Sequence, residues 1–179
     1  MLFRSEAVIA AVTIPVIAGT GSNDTAHSVH LTKEATRLGA AGILAVGPYY
    51  NRPSQAGIAA HIGAMAGATT LPVVVYDIPV RTGRKITSAN LLTLARDHKN
   101  VVALKDAAGN PGETANVIAN APSGFEVYSG DDGLTLPLLA VGAVGVIGVA
   151  THWSAPEHRR MMDAFFSGNV AEATRINAA

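Results

Sequence analysis

Lys105 ends the apolar run VVALKD over residues 101–106, and no other residue of the chain has a clearer chemical potential. An ammonium carried to the end of a buried strand is costly unless something uses it. Desolvation lowers a lysine's pKa, and a neutral amine is a nucleophile able to form a Schiff base with a ketone. Taken alone, Lys105 reads first as a strand-end lysine that snorkels to water. A second run, VVVYDIPVRTG over 73–83, changes that balance. It delivers a phenol (Tyr76), a rigid turn (Pro79) and a guanidinium (Arg81) to the mouth of one strand.

The elements that must position these groups are legible as alternation. Six β-rich runs begin near Pro15, Gly42, Pro72, Val101, Phe125 and Gly145. Each is followed by a segment of helical periodicity. Asp24 or Thr25 is placed to cap a helix carrying Ala26, Val29, Ala35 and Leu38. Ser54 opens another with Ile58, Ile62, Met65 and Ala66 on one face. Thr87 or Ser88 precedes Leu91, Leu92, Leu94 and Ala95. Pro156 stands where a first-turn proline belongs, ahead of Met161, Met162, Phe165 and Phe166.

Strands alternating with helices predict a parallel sheet under helical cover. Polar residues gather just after the strands: Thr20, Tyr49 and Tyr50, Tyr76, Lys105, Ser129 with Asp131, and Thr151. In a β/α barrel these positions form the C-terminal face, where active sites lie. A doubly wound sheet would also put ligands at strand C-termini. Even spacing and strands nearly free of charge favour the barrel, read as one domain over 1–179. A barrel needs eight strands and typically about 250 residues. Only six runs are visible, and the chain stops inside the helical pattern of 171–179. The expectation is an incomplete (β/α)8 barrel.

Composition narrows the function classes. Apolar residues make up 49% of the 179, and 13 basic side chains balance 13 acidic ones. Such a chain lacks the basic footprint expected for nucleic acid or an anionic membrane surface. With no cysteine, disulfides, thiolate metal sites and cysteine nucleophiles are excluded. The opening residues 1–12 have a short apolar core preceded by Glu6, which predicts an amphipathic helix and not a signal peptide. No stretch reaches the length needed to span a bilayer. The expected compartment is the cytoplasm.

Tyr76-Asp-Ile-Pro79-Val-Arg81-Thr-Gly83 followed by Lys105-Asp-Ala resembles the dihydrodipicolinate synthase branch of the pyruvate-dependent class I aldolases, the family that also contains the N-acetylneuraminate lyases. The motifs Gly19-Thr-Gly21, Pro48-Tyr-Tyr-Asn-Arg-Pro53, Ser129-Gly-Asp-Asp132 and Gly145-Val-Ile-Gly-Val149 are similar to that family in the same order. The resemblance covers essentially the whole chain. It implies a (β/α)8 barrel, here its strands three to eight, that condenses pyruvate with aspartate-4-semialdehyde on the route to lysine and diaminopimelate. Lys105 would then be the Schiff-base lysine and Tyr76 the proton-relay phenol beside it. Tyr50 would be a second relay tyrosine reaching a neighbouring subunit's site. Arg81 would bind the semialdehyde carboxylate, a task suited to a permanently charged bidentate donor. Gly130 and Ile147 would offer backbone contacts near pyruvate. The resemblance also implies a homodimer or homotetramer, with neither metal nor cofactor, since the imine itself is the electron sink.

Two departures stand out. The family relay includes a threonine from a Gly-Thr-Thr-Gly-Glu motif after the second strand, and these 179 residues do not contain it. His27 stands where lysine-inhibited bacterial members often carry glutamate, although Tyr49 and Asn23 match that effector site. Blander readings compete elsewhere. Gly19-Thr-Gly21 suits a phosphate loop less well than a tight turn. Asp131 and Asp132 suit a helix cap better than a metal. His27 and His30 share a helix face without a third ligand, and His152 and Trp153 have no assigned role. Three functions remain open: the synthase, a sugar-acid aldolase sharing the pyruvate imine, and a silent fragment that binds only pyruvate or other subunits.

Overall fold

A computed structural model describes residues 2–178 of the chain. Met1 and Ala179, which end the first and last expected helical segments, lie outside the described residues. Every β-rich run forms a strand: β1 (Ile17–Gly19), β2 (Gly42–Val46), β3 (Val73–Asp77), β4 (Val101–Asp106), β5 (Glu126–Ser129) and β6 (Gly145–Val146). All five neighbouring pairs are parallel, and the strands add in chain order from β1 to β6. A doubly wound sheet reverses its strand order at a switch point, and this sheet never does. The six strands are therefore an arc of a β/α barrel.

Helices fill the connections: α1 (Leu2–Ala11), α2 (Thr25–Arg37), α3 (Gln55–Ala66), α4 (Pro79–Thr82), α5 (Ser88–Asp97), α6 (Pro111–Asn120), α7 (Thr135–Ala140), α8 (Ala155–Phe166) and α9 (Val170–Asn177). The side chains of Asp24, Ser54, Thr87, Asn110 and Asn169 each accept a backbone N–H from the first turn they precede. Each such cap is worth about 1 kcal/mol. The expected faces of α3 and α5 are the buried ones. On α8, Met161 is buried and Phe166 is exposed. For α2 the expected face is displaced. Ala26 is exposed, and the buried residues are Ser28, Leu31, Thr32 and Ala35. Two polar residues fit this face because their hydroxyls bond locally: Ser28 donates to Asp24 O, and Thr32 to Ser28 O. Of the expected residues Ala35 is buried and Val29 and Leu38 are half-buried, so apolarity located only part of the stripe. No described helix is long and apolar enough to cross a membrane.

Strand alternation separates two faces. Val73, Val75, Leu104 and Val127, all buried, join Ile58, Ile62 and Met65 of α3, Leu91 and Leu94 of α5 and Leu138 of α7 in one core. The intervening residues Val74 and Tyr76, Ala103 and Lys105, and Glu126 and Tyr128 lie on the other face, in matched register. Polar strand ends on the helix side are tied down. Asp77 accepts from Ile86 N at 3.1 Å and from Lys85 Nζ at 3.2 Å. Asp106 accepts from Thr114 Oγ1 at 2.6 Å and from Ala108 N at 2.9 Å. These bonds supply the partners that a buried carboxylate requires. His61 of α3 is also buried, its Nδ1 2.9 Å from Thr25 Oγ1.

The arc leaves two apolar margins in water. Ile17 on β1 is 50% exposed, Ile14 before it 71%, and Val144 beside β6 44%. Unpaired apolar edges template pairing with other chains. The 179-residue chain on its own is expected to self-associate, with light scattering reporting a mass of more than one chain. A compact monomer would show that the margins are not adhesive.

Candidate active site

Parallel pairing of β3 with β4 sets Tyr76 opposite Lys105. The Lys105 Nζ sits 4.2 Å from the centroid of the Tyr76 ring, and the residue is 9% exposed. Burial pushes the lysine pKa below its ordinary value, opposed by the negative charge of Asp132. Burial also pushes the Tyr76 phenol up, opposed by Arg81. The pair therefore couples an amine that loses its proton more readily than an exposed lysine to a phenol that holds its own more tightly than an exposed tyrosine, which suits nucleophile and proton donor respectively.

Pro79 opens the single turn α4, and Gly83 ends it in the left-handed region at φ 71°. A Cβ on Gly83 would meet only the mobile Arg52 side chain, so it is the backbone conformation that favours glycine there. The turn carries Arg81 into solvent. Among the described residues no carboxylate pairs with Arg81. A free guanidinium beside a phenol is available for an anion.

Gly130 follows β5 and packs against the Lys105 stem. A Cβ there would stand 3.0 Å from Lys105 Cγ and 3.1 Å from Asp106 O, and Gly130 N donates to that carbonyl at 2.7 Å. Ile147 extends the β5–β6 ladder by donating to Ser129 O at 2.8 Å. Its amide is thus engaged, and its carbonyl is the group left for a ligand. Tyr50 is not gathered in: it is 90% exposed with φ 74°. A tyrosine held in the left-handed region carries backbone strain, a feature that clusters at functional sites. The structure thus joins Lys105, Tyr76 and Gly130, brings Arg81 near, and leaves Tyr50 in solvent.

Several strand-end residues resolve differently. Thr20 is buried, its Oγ1 2.9 Å from Thr32 Oγ1, and so turns to α2 and not to the mouth. Ser129 is buried and donates to Asp131 O. Gly21 is a close-packing glycine, since a Cβ would lie 2.6 Å from Val46 Cγ1 and 2.9 Å from Val46 N, and the expected tight turn does not form there. Asp131 caps the 3-10 turn Asp132–Leu134 as expected of it. Asp132 does something else, and sequence reasoning missed it: its Oδ2 accepts from Val149 N and Ala150 N, both at 3.1 Å. The His27 and His30 rings are 6.5 Å apart, and no described group of three or more His, Cys, Asp or Glu could hold a metal. Tyr128, also missed, shares the Lys105 row. Burial and its bond to Glu126 push its phenol up to about 12. Strand alternation counted outward from Lys105 would have found it.

A groove of about 430 Å³ opens between α8, α9 and the turn after β5, lined in part by Asp132, His158, Arg160 and Arg175. Lys105 is not in its wall.

Cyanate reacts with neutral amines, so it reads the lysines directly. Desolvation works against the Lys85 charge, but Asp77 and Glu113 outweigh it and raise the pKa. At mildly alkaline pH, carbamylation followed by peptide mass mapping should modify Lys105 ahead of Lys85. The reverse order would mean that Lys105 is protonated or unreachable.

Comparison with known proteins places this geometry. The sequence profile of the Dihydrodipicolinate synthetase family matches residues 1–179. The 4-hydroxy-tetrahydrodipicolinate synthase of Moorella thermoacetica is 46% identical over 176 residues, 98% of this chain and 60% of the relative. The crystal structure of the Cyanidioschyzon merolae enzyme with lysine bound superposes with a TM-score of 0.96 at 44% identity, covering 99% of this chain and 61% of that one. A prophage protein of E. coli from the same family, in complex with pyruvate, gives 0.90 at 26% identity and covers 99% and 63%. The chain spans about 60% of the length of the curated relatives it matches. With six parallel strands laid down in barrel order and a buried lysine stacked on a tyrosine at their C-terminal ends, the chain belongs to the dihydrodipicolinate synthetase family.

Proposed function

We propose that this chain carries the imine-forming part of a 4-hydroxy-tetrahydrodipicolinate synthase, which joins pyruvate to L-aspartate-4-semialdehyde in lysine and diaminopimelate biosynthesis. The observation that carries the reading is the amine of Lys105, buried and stacked over Tyr76. The names of the relatives support the choice of reaction.

In this reading the neutral Lys105 amine adds to the keto carbon of pyruvate and expels water, leaving a cationic iminium. The iminium draws electrons from the adjacent methyl, which loses a proton and becomes an enamine. The enamine carbon attacks the aldehyde, and the new alkoxide takes a proton. The amino group of the former semialdehyde then displaces Lys105 by attack on the imine carbon, which closes the ring and frees the enzyme. Tyr76, kept protonated by its surroundings, can give and recover protons at the imine carbon. No cofactor is needed, because the iminium stores the electron pair. Gly130 and the Ile147 carbonyl border pyruvate, and Arg81 meets the second substrate's carboxylate with two parallel N–H bonds. Tyr50, exposed and strained, is suited to the site of another subunit in a homodimer or homotetramer. The cytoplasm is the compartment that suits a biosynthetic step on small acids.

A sugar-acid aldolase would share every step up to the enamine. The unpaired Arg81 favours an aldehyde that carries a carboxylate, so the synthase reading is preferred.

Borohydride reduction in the presence of pyruvate should add the reduced pyruvyl mass to the peptide containing Lys105. Persistence of the adduct in Lys105→Ala would sink the assignment. Turnover is best read in a completed barrel, with this chain replacing the matching segment of the Moorella thermoacetica relative. There, Arg81→Ala should lower kcat/KM for the semialdehyde roughly 10- to 100-fold, the worth of a charged bidentate contact, and leave pyruvate trapping nearly unchanged. Equal loss in both steps would remove Arg81 from its role.

A further inference from the structure

We propose that Asp132 is a positioning residue for Lys105. Its carboxylate locks the loop after β6 onto the loop after β5, two residues beyond the glycine that packs on the lysine stem, and its charge acts on the lysine. The inference rests on the Schiff-base reading of Lys105.

Three observations converge on this carboxylate. First, Oδ2 accepts two backbone N–H groups, Val149 and Ala150, that stand at the start of the 3-10 turn Ala150–His152. These residues lie two and three positions after Ile147, so the bond pair holds the segment that the proposed function sets beside the substrate. Second, Gly148 has no room for a side chain: a Cβ would fall 2.0 Å from Asp132 Oδ1 and 3.1 Å from its Cγ. The carboxylate occupies the space that any other residue at 148 would fill. Third, Oδ1 is buried without a hydrogen-bond partner among the described residues. The ring of His158 on α8 faces it, with Nε2 3.9 Å away and Nδ1 3.1 Å from Ser154 Oγ.

A buried carboxylate oxygen carries a desolvation cost, and its charge is little screened by solvent. Here the charge acts on Lys105, which stands between the Tyr76 ring of β3 and Tyr128 of β5, the latter bonded to Glu126. Gly130, two residues before Asp132, lies on the lysine stem. The β5 loop therefore touches the amine's own side chain at one point and holds the β6 loop at the next. The charge acts on Lys105 in two ways. It favours the ammonium of the resting lysine, and it favours the cationic iminium that replaces it after pyruvate adds. An amine made too acidic by burial alone would form a poorly stabilised cation, and Asp132 corrects this from a fixed position.

Two substitutions separate charge from structure. In Asp132→Asn the single remaining carbonyl oxygen can still accept both N–H groups, as Oδ2 does alone, but the charge is gone. In Asp132→Ala both are lost. The 179-residue chain and its variants are incubated with pyruvate across a pH series and reduced with borohydride, and the Lys105 peptide is quantified by mass spectrometry. This readout tolerates self-association.

With Asp132 present, burial and the carboxylate oppose one another. Removal of the charge leaves burial unopposed, so the amine loses its proton sooner. The midpoint of the rising trapping profile should move to lower pH in Asp132→Asn, with the pyruvate concentration for half-maximal trapping little changed. In Asp132→Ala the midpoint should move the same way, and that concentration should rise about tenfold because the loop is released. If the native chain is not labelled at Lys105, the Schiff-base reading fails, and the inference with it. If the native chain is labelled and Asp132→Asn keeps the same midpoint, the Schiff-base reading stands and the electrostatic role of Asp132 is overturned. Equal half-saturation in the native chain and in Asp132→Ala would overturn the locking role.

Discussion

One pairing governs the rest of the site: Tyr76 set opposite Lys105 by the parallel register of β3 and β4. An amine kept from water is unfavourable as an ammonium, and the π face 4.2 Å from it offsets only part of that cost. The register must therefore hold against a local penalty. The hydrophobic core on the opposite face of the sheet supplies the holding force, since Val75, Leu104 and Val127 are sealed under α3, α5 and α7. Sliding one strand by a single residue would carry Lys105 into that core and Leu104 out of it. The chemistry and the packing are locked to the same register.

The same alternation explains why strand ends hold two polar residues in succession. Tyr76 and Lys105 face the concave side, whereas Asp77 and Asp106 point beneath the helices. The two carboxylates anchor the loops that leave their strands. Asp77 holds the Lys85–Ile86 segment after α4, and Asp106 holds the start of α6 through Thr114. Burial raises the Asp77 pKa, and the Ile86 N–H and the Lys85 charge oppose that rise. The groups that could react are thus mounted on strands, and the groups beside them fix the loops. Such division gives a site the rigidity it needs, because a loop anchored at its first residues has few ways to move.

Glycines mark where the loops press on the strands. Gly130 lies on the lysine stem, Gly21 on Val46, and Gly148 on the Asp132 carboxylate. None of the three has a positive φ. Their common requirement is space, which distinguishes them from Gly83, where conformation decides. Tyr50 presents the opposite case, a large side chain in a backbone region that suits glycine. Its near-complete exposure leaves no intramolecular packing to offset the strain. Contact with a second subunit is the compensation that the proposed function supplies.

Much of this was readable from residue order. Six apolar runs and the helix caps at Asp24, Ser54 and Thr87 are local signals, arising from side chains that bond within a few residues of themselves, and each landed where expected. Lys105 and Tyr76 were legible for a related reason: a cation and a phenol at the ends of apolar strands conflict with their surroundings, and such conflict is visible in one dimension. The buried stripe of α2 was not, because Ser28 and Thr32 become core residues only once hydroxyls meet Thr20, Ser22 and main-chain carbonyls. The barrel arc was favoured over a doubly wound sheet by even spacing, uncharged strands and the family resemblance, and the strand order bears that out. The role of Asp132 was hidden most completely. Its partners lie 17 and 18 residues away, and only the parallel placement of β5 beside β6 brings that carboxylate to those amides. Sequence determined which residues could do chemistry, since reactivity belongs to side chains. Tertiary structure decided which of them face one another, since contact belongs to the register of strands distant along the chain.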